Sequence, residues 1–100
     1  MENIHSENTE NLFKAILLLE NEDECSRFFE DICTIKELQD LSQRLLVAKL
    51  LKTGESYQEI SKATGASTTT ISRVNRCLVY GRGGYSAILD KLSMAEGKTK

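Results

Sequence analysis

Residues 56–78 read SYQEISKATGASTTTISRVNRCL, and the rest of the chain is organised around this stretch. Ser56 is followed three residues later by Glu59, the spacing of a capping box. A hydroxyl and a carboxylate so placed satisfy the first free backbone N–H groups of a helix. A short amphipathic helix follows over about 57–64, with Ile60 and Ala63 on its inner side. Gly65 stands where the chain must reverse, since glycine takes a positive φ at little steric cost. Ser67 or Thr68 caps a second helix, whose inner stripe is Ile71, Val74 and Leu78. Helix, glycine turn, helix is the layout of a helix-turn-helix.

The outer face of the second helix carries Thr68, Thr69, Ser72, Arg73 and Arg76, with Ser67 at its start. These are the residue types that read DNA: hydroxyls for phosphates and base edges, arginines for phosphates or the guanine edge. An ordinary helical hairpin also shows a polar outer face. The cap, the glycine at the right offset and two arginines beside a hydroxyl cluster together favour double-stranded DNA as partner.

One hundred residues with 40% hydrophobic content suit one small domain, or half of an obligate dimer. Proline is absent and the glycines sit mostly near turns, so the fold class expected is all-α. The start, MENIHSENTE, is polar and acidic, unlike a signal peptide. The longest apolar run, residues 15–19, is far too short to cross a bilayer, so the expectation is a cytoplasmic protein with no membrane partner. A net charge of −2 hides a sharp division. Residues 1–40 hold eleven acidic and three basic side chains, a balance of −8, whereas residues 41–100 hold four and ten, a balance of +6. The basic part contains the helix-turn-helix, and local charge sets the footprint on a phosphate backbone. Cys25, Cys33 and Cys77 are widely spaced, with no CxxC, and His5 is the only histidine. No metal site or cofactor is expected from such a set, and the cysteines read as small buried hydrophobes in a reducing compartment.

Thr9 or Asn11 can open a first helix carrying Leu12, Phe13, Ile16, Leu17 and Leu19, an apolar band wider than one partner helix covers. Residues 1–11 then form an N-terminal tail. NEDE at 21–24 breaks the run and supplies negative residues to the next helix N-terminus, whose inner side is Cys25, Phe28, Phe29 and Ile32. Thr34 and Glu37 make another capping box and open the longest helix, about 35–52. That helix is apolar around most of its girth from Leu45 onward and reads as a central strut covered on several sides. After Leu78, Gly81, Gly83 and Gly84 break the recognition helix, with Tyr80, Arg82 and Tyr85 punctuating a loop. Arg82 there is either a contact to DNA phosphate or part of a plain connector. Ile88, Leu89 and Leu92 form a last short helix, and residues 93–100 a solvated tail. Lys49, Lys52 and Lys62 read equally as phosphate contacts or as a solvated helix face.

Laid out so, the chain resembles the tryptophan-repressor fold, and more closely the YerC/YecD branch of TrpR-like regulators. The residues carrying the likeness are CTIKELQDLSQRLLVAKLL at 33–51, the quoted stretch at 56–78 and YGRGGY at 80–85. The likeness spans residues 12–92 and implies six helices, an intertwined homodimer and a DNA-binding transcription regulator, most simply a repressor. Two recognition helices of a dimer would enter successive major grooves at two half-sites ~34 Å apart. In the tryptophan-responsive members the ligand lies between two arginines, near a threonine. The matching positions are Arg44, Arg73 and Thr34. The glycine after the second arginine in those members is Val74 here, and a serine beside the ligand's amino group is Cys77. The resemblance therefore implies a vestigial ligand pocket, with no tryptophan co-repressor and no small-molecule effector. Two rivals are a transposase-like DNA-binding module and a helical protein-interaction subunit. No carboxylate pair or nucleophile–base set points to an enzyme.

Overall fold

A computed structural model describes residues 5–97 as six α-helices. They are α1 (Glu7–Leu17), α2 (Glu22–Ile32), α3 (Ile35–Lys52), α4 (Tyr57–Thr64), α5 (Thr68–Tyr80) and α6 (Gly84–Ala95). The all-α, six-helix expectation holds, and α3, α4 and α5 begin and end where the caps and the glycine turn put them. The outermost parts of the two expected tails, residues 1–4 and 98–100, lie outside the described residues.

Compactness divides the chain between Leu38 and Gln39. The first unit holds α1, α2 and the first turn of α3. Its helix α1 starts earlier than Thr9 or Asn11: the Ser6 hydroxyl accepts from the Thr9 N–H (3.1 Å) and caps a helix from Glu7. Leu19 falls outside that helix. Asn21 caps α2 by accepting from the Glu24 N–H at 2.8 Å, ahead of Glu22, Asp23 and Glu24, as the acidic run requires. Thr34 and Glu37 form both halves of their capping box, at 3.0 and 2.9 Å. Phe28 and Phe29 pack edge to face with centroids 5.5 Å apart. No described residue of α1 or α2 is fully buried, and Leu12, Phe13, Leu17, Leu18, Ile32 and Ile35 are exposed.

The second unit holds the core: Val47 and Ala48 of α3, Ile60 of α4, Ala66 of the turn, Ile71 and Val74 of α5, and Leu89 of α6. Ile60 is inward as expected, but Ala63 is exposed and Ala66 takes the inner place. From Leu45 onward α3 is covered over much of its girth: Val47 and Ala48 are buried and Leu45, Leu50 and Leu51 are half-buried against the core, while Leu41 and Leu46 stay exposed. The helix after the glycines is longer than the sequence suggested. Tyr85 lies inside it, packed against the core, and residues 93–95 belong to it and not to a tail. The cysteines are free, but none is buried: Cys25 and Cys33 are half-buried and Cys77 is exposed.

Gly81 ends α5 with its N–H donating to the Cys77 carbonyl at 2.8 Å. A Cβ on Gly81 would overlap that carbonyl oxygen, which belongs to the backbone and cannot rotate away. Gly81→Ala is therefore expected to lower stability by ~1–3 kcal/mol, measured by urea denaturation, through displacement of the last turn of α5.

Candidate nucleic-acid interface

The local chemistry of residues 56–67 builds a turn that needs no outside ligand. Ser56 caps α4 by accepting from the Glu59 N–H at 3.1 Å. Gly65 closes α4 in the left-handed region, φ 77°, with its N–H on the Ser61 carbonyl at 2.8 Å. The Ser61 hydroxyl donates to the Ala66 carbonyl (2.8 Å), and the Thr64 hydroxyl donates to the Ile60 carbonyl while accepting from the Ala66 N–H. From the body of α3, the Gln43 side-chain amide donates to the Thr64 carbonyl at 3.1 Å. Ser67 caps α5 by accepting from the Thr70 N–H.

Tyr57, Thr68, Thr69, Ser72, Arg73 and Arg76 line one open concave surface formed by α4 and α5. Five of the predicted reading residues are thus brought together. Arg73 and Arg76 are exposed and have no hydrogen-bond or ion-pair partner among the described residues. The first turn of α5 has no acidic residue, unlike α1, α2, α3 and α4, so the positive end of its dipole is not offset from within its own first turn. Ser67 is engaged in capping. Arg82 does not line this surface: it follows Gly81, past the far end of a 13-residue helix, about 20 Å from Thr68 at 1.5 Å per residue. Lys52 is held by Asp90 at 3.1 Å, so the weaker phosphate candidates are not equivalent.

Tyr57 and Gln43 were not legible as site residues. Each enters from a helix other than α5, Tyr57 from α4 and Gln43 from α3, and residue spacing along α5 does not encode how those helices meet it.

Of the positions matched to a ligand pocket, Thr34 belongs to the first unit, and Arg44, Arg73, Val74 and Cys77 belong to the second. The Thr34 hydroxyl, in the first unit, accepts from the Glu37 N–H as a cap. In the second unit Val74 is 3% exposed, inside the core, while Arg44, Arg73 and Cys77 are exposed. Tyr85 reaches the neighbourhood of Cys77 and Arg44. Burial pushes its phenol above the usual range, Cys77 adds to that, and the Arg44 charge opposes it.

A family model described as Trp repressor protein matches residues 7–93. The Bacillus subtilis (strain 168) protein YerC, itself uncharacterised, is 47% identical over 96 residues, 96% of this chain and 92% of that one. A crystal structure of a TrpR-like protein from Eubacterium eligens is 50% identical with a TM-score of 0.87, covering 91% of this chain and 94% of the other. A candidate Trp repressor from Staphylococcus aureus is 50% identical with a TM-score of 0.86, covering 89% of each chain. Motif, helix order, structural likeness and family model agree over nearly the whole length, and the chain belongs to the Trp repressor protein family.

Proposed function

We propose that this chain is a sequence-specific DNA-binding transcriptional regulator, acting as a homodimeric repressor through α4 and α5, with no enzymatic activity. The observation that carries the reading is the exposed surface on which two unpartnered arginines stand among Thr68, Thr69 and Ser72. Arginine in a major groove can bind guanine in bidentate fashion, and neighbouring hydroxyls can hold phosphate or base edges. Tyr57, on the same surface, suits a phosphate contact through its hydroxyl. Arg82, a helix length away, suits at most a separate backbone contact.

The exposed apolar side chains of α1 and of Leu41 and Leu46 support a second copy as the covering partner, because a soluble monomer rarely leaves such residues in water. The regulator reading also draws support from the description of the Staphylococcus aureus relative as a candidate Trp repressor. Tryptophan is not the co-repressor in this reading, since Val74 fills the inner side of α5 and Cys77 is a poor acceptor for an ammonium group.

Selection of bound DNA from a random duplex pool, with light scattering on the free protein, tests the whole proposal. The expected result is a motif of two half-sites about one helical turn apart, bound with strong salt dependence by a species of twice the chain mass. No enrichment and no salt-sensitive retention would instead point to a helical interaction subunit.

A further inference from the structure

We infer that Gln43 is a positioning residue: its amide fixes the orientation of the helix-turn-helix on α3. The Thr64 carbonyl is one of the groups that a helix leaves without an intrahelical partner at its C-terminus. Gln43 supplies that partner from 21 residues away, in a half-buried setting within the second unit. The other side-chain bonds of the turn, from Ser61 and Thr64, are local and hold its shape, not its place.

Place is otherwise set by apolar contact of Val47 and Ala48 with Ile60, Ile71 and Val74, by the exposed Lys52–Asp90 ion pair from α3 to α6, and by the short connection in which the Glu55 N–H donates to the Leu50 carbonyl; none of these ties α3 to the turn between α4 and α5. Apolar contact is strong but non-directional, and tolerates sliding and rotation. The close backbone approaches in this unit are α4 to α5 and α5 to α6, with α3 standing further off. A hydrogen bond is directional, and this one reaches from α3 to the hinge between the two helices of the motif. Its loss therefore frees rotation of α4 and α5 together about the core without dismantling either helix. The consequence for DNA rests on the regulator reading above: a surface held in its pose needs no ligand to set it, and a loosened one binds in proportion to the competent fraction.

The test compares wild type with Gln43→Met, which keeps the length and packing of the stem and removes the donor. Residual dipolar couplings of the free protein, fitted separately for α3 and for α4–α5, should share one alignment tensor in wild type. In Gln43→Met the α4–α5 tensor should depart in orientation and lose order, while the intrahelical couplings remain self-consistent. On a selected operator the variant should bind roughly two- to tenfold more weakly, the range set by the net worth of one hydrogen bond, with the salt slope unchanged. A shared tensor in the variant overturns the inference. So does an affinity loss while α4–α5 still share the α3 tensor, which would make Gln43 a direct DNA contact. If wild type binds no DNA, the regulator reading fails and the tensors still decide the role of Gln43.

Discussion

Replacing Arg73 and Arg76 together by alanine is expected to weaken operator binding by at least about thirtyfold, with folding stability nearly unchanged. Each arginine, if bidentate to a base, contributes ~1–3 kcal/mol, and the two stand one turn apart on the same face of α5. Both are exposed and make no hydrogen bond or ion pair among the described residues that their loss would break, and alanine favours the helix. The single variants separate the roles. An arginine on a base edge, when removed, relaxes sequence preference at one position. An arginine on phosphate lowers affinity evenly across sequences and reduces the salt slope by about one. Arg82→Ala should do much less on the operator, since Arg82 lies apart from the concave surface. Competition gel shifts over a salt series measure all of these. A double variant that binds like wild type would mean that DNA is read by some other face.

The parts of the fold legible in the sequence were those fixed by local chemistry. Ser56, Ser67, Thr34 and Gly65 act on neighbours within a few residues, so their spacing alone located α3, α4 and α5. The start of α1 was misjudged for the same kind of reason: Ser6 and Thr9 both carry capping hydroxyls and bond each other at 2.9 Å, and composition favours neither. Ala63 and Ala66 are chemically identical, and only the direction taken after Gly65 decides that Ala66 goes inside. Tyr85 looked like loop because glycines precede it, yet Gly83 at φ 83° serves as the cap of α6 and Gly84 lies in the helix. In the site, residues of α5 were legible from helical period, whereas Tyr57 and Gln43 were not, since each enters from another helix.

The other large effect is expected at Val74. Val74→Gly should destabilise the protein by roughly 3 kcal/mol, because it removes three buried carbons and places glycine inside a helix. Val74 is 3% exposed and belongs to the same cluster as Val47, Ala48, Ile60 and Ile71, so the void would open beneath α5 itself. Operator affinity should fall along with stability, since the pose of α5 then has less to hold it. The resemblance to the tryptophan-responsive members implies a glycine at this position, with room beside an indole. In the reading proposed above, the branched side chain of Val74 occupies that room and stands in for the ligand. Cys77, exposed and weak as an acceptor, offers little to a bound ammonium, and the Thr34 hydroxyl is already capping α3. Inserting a ring into a packed core would cost a further ~1–3 kcal/mol. Calorimetric titration of the wild-type protein with L-tryptophan should accordingly be flat, and operator affinity should not change when tryptophan is added. Micromolar binding, or DNA affinity that rises with tryptophan, would show that the side chain moves aside and that the pocket is still in use.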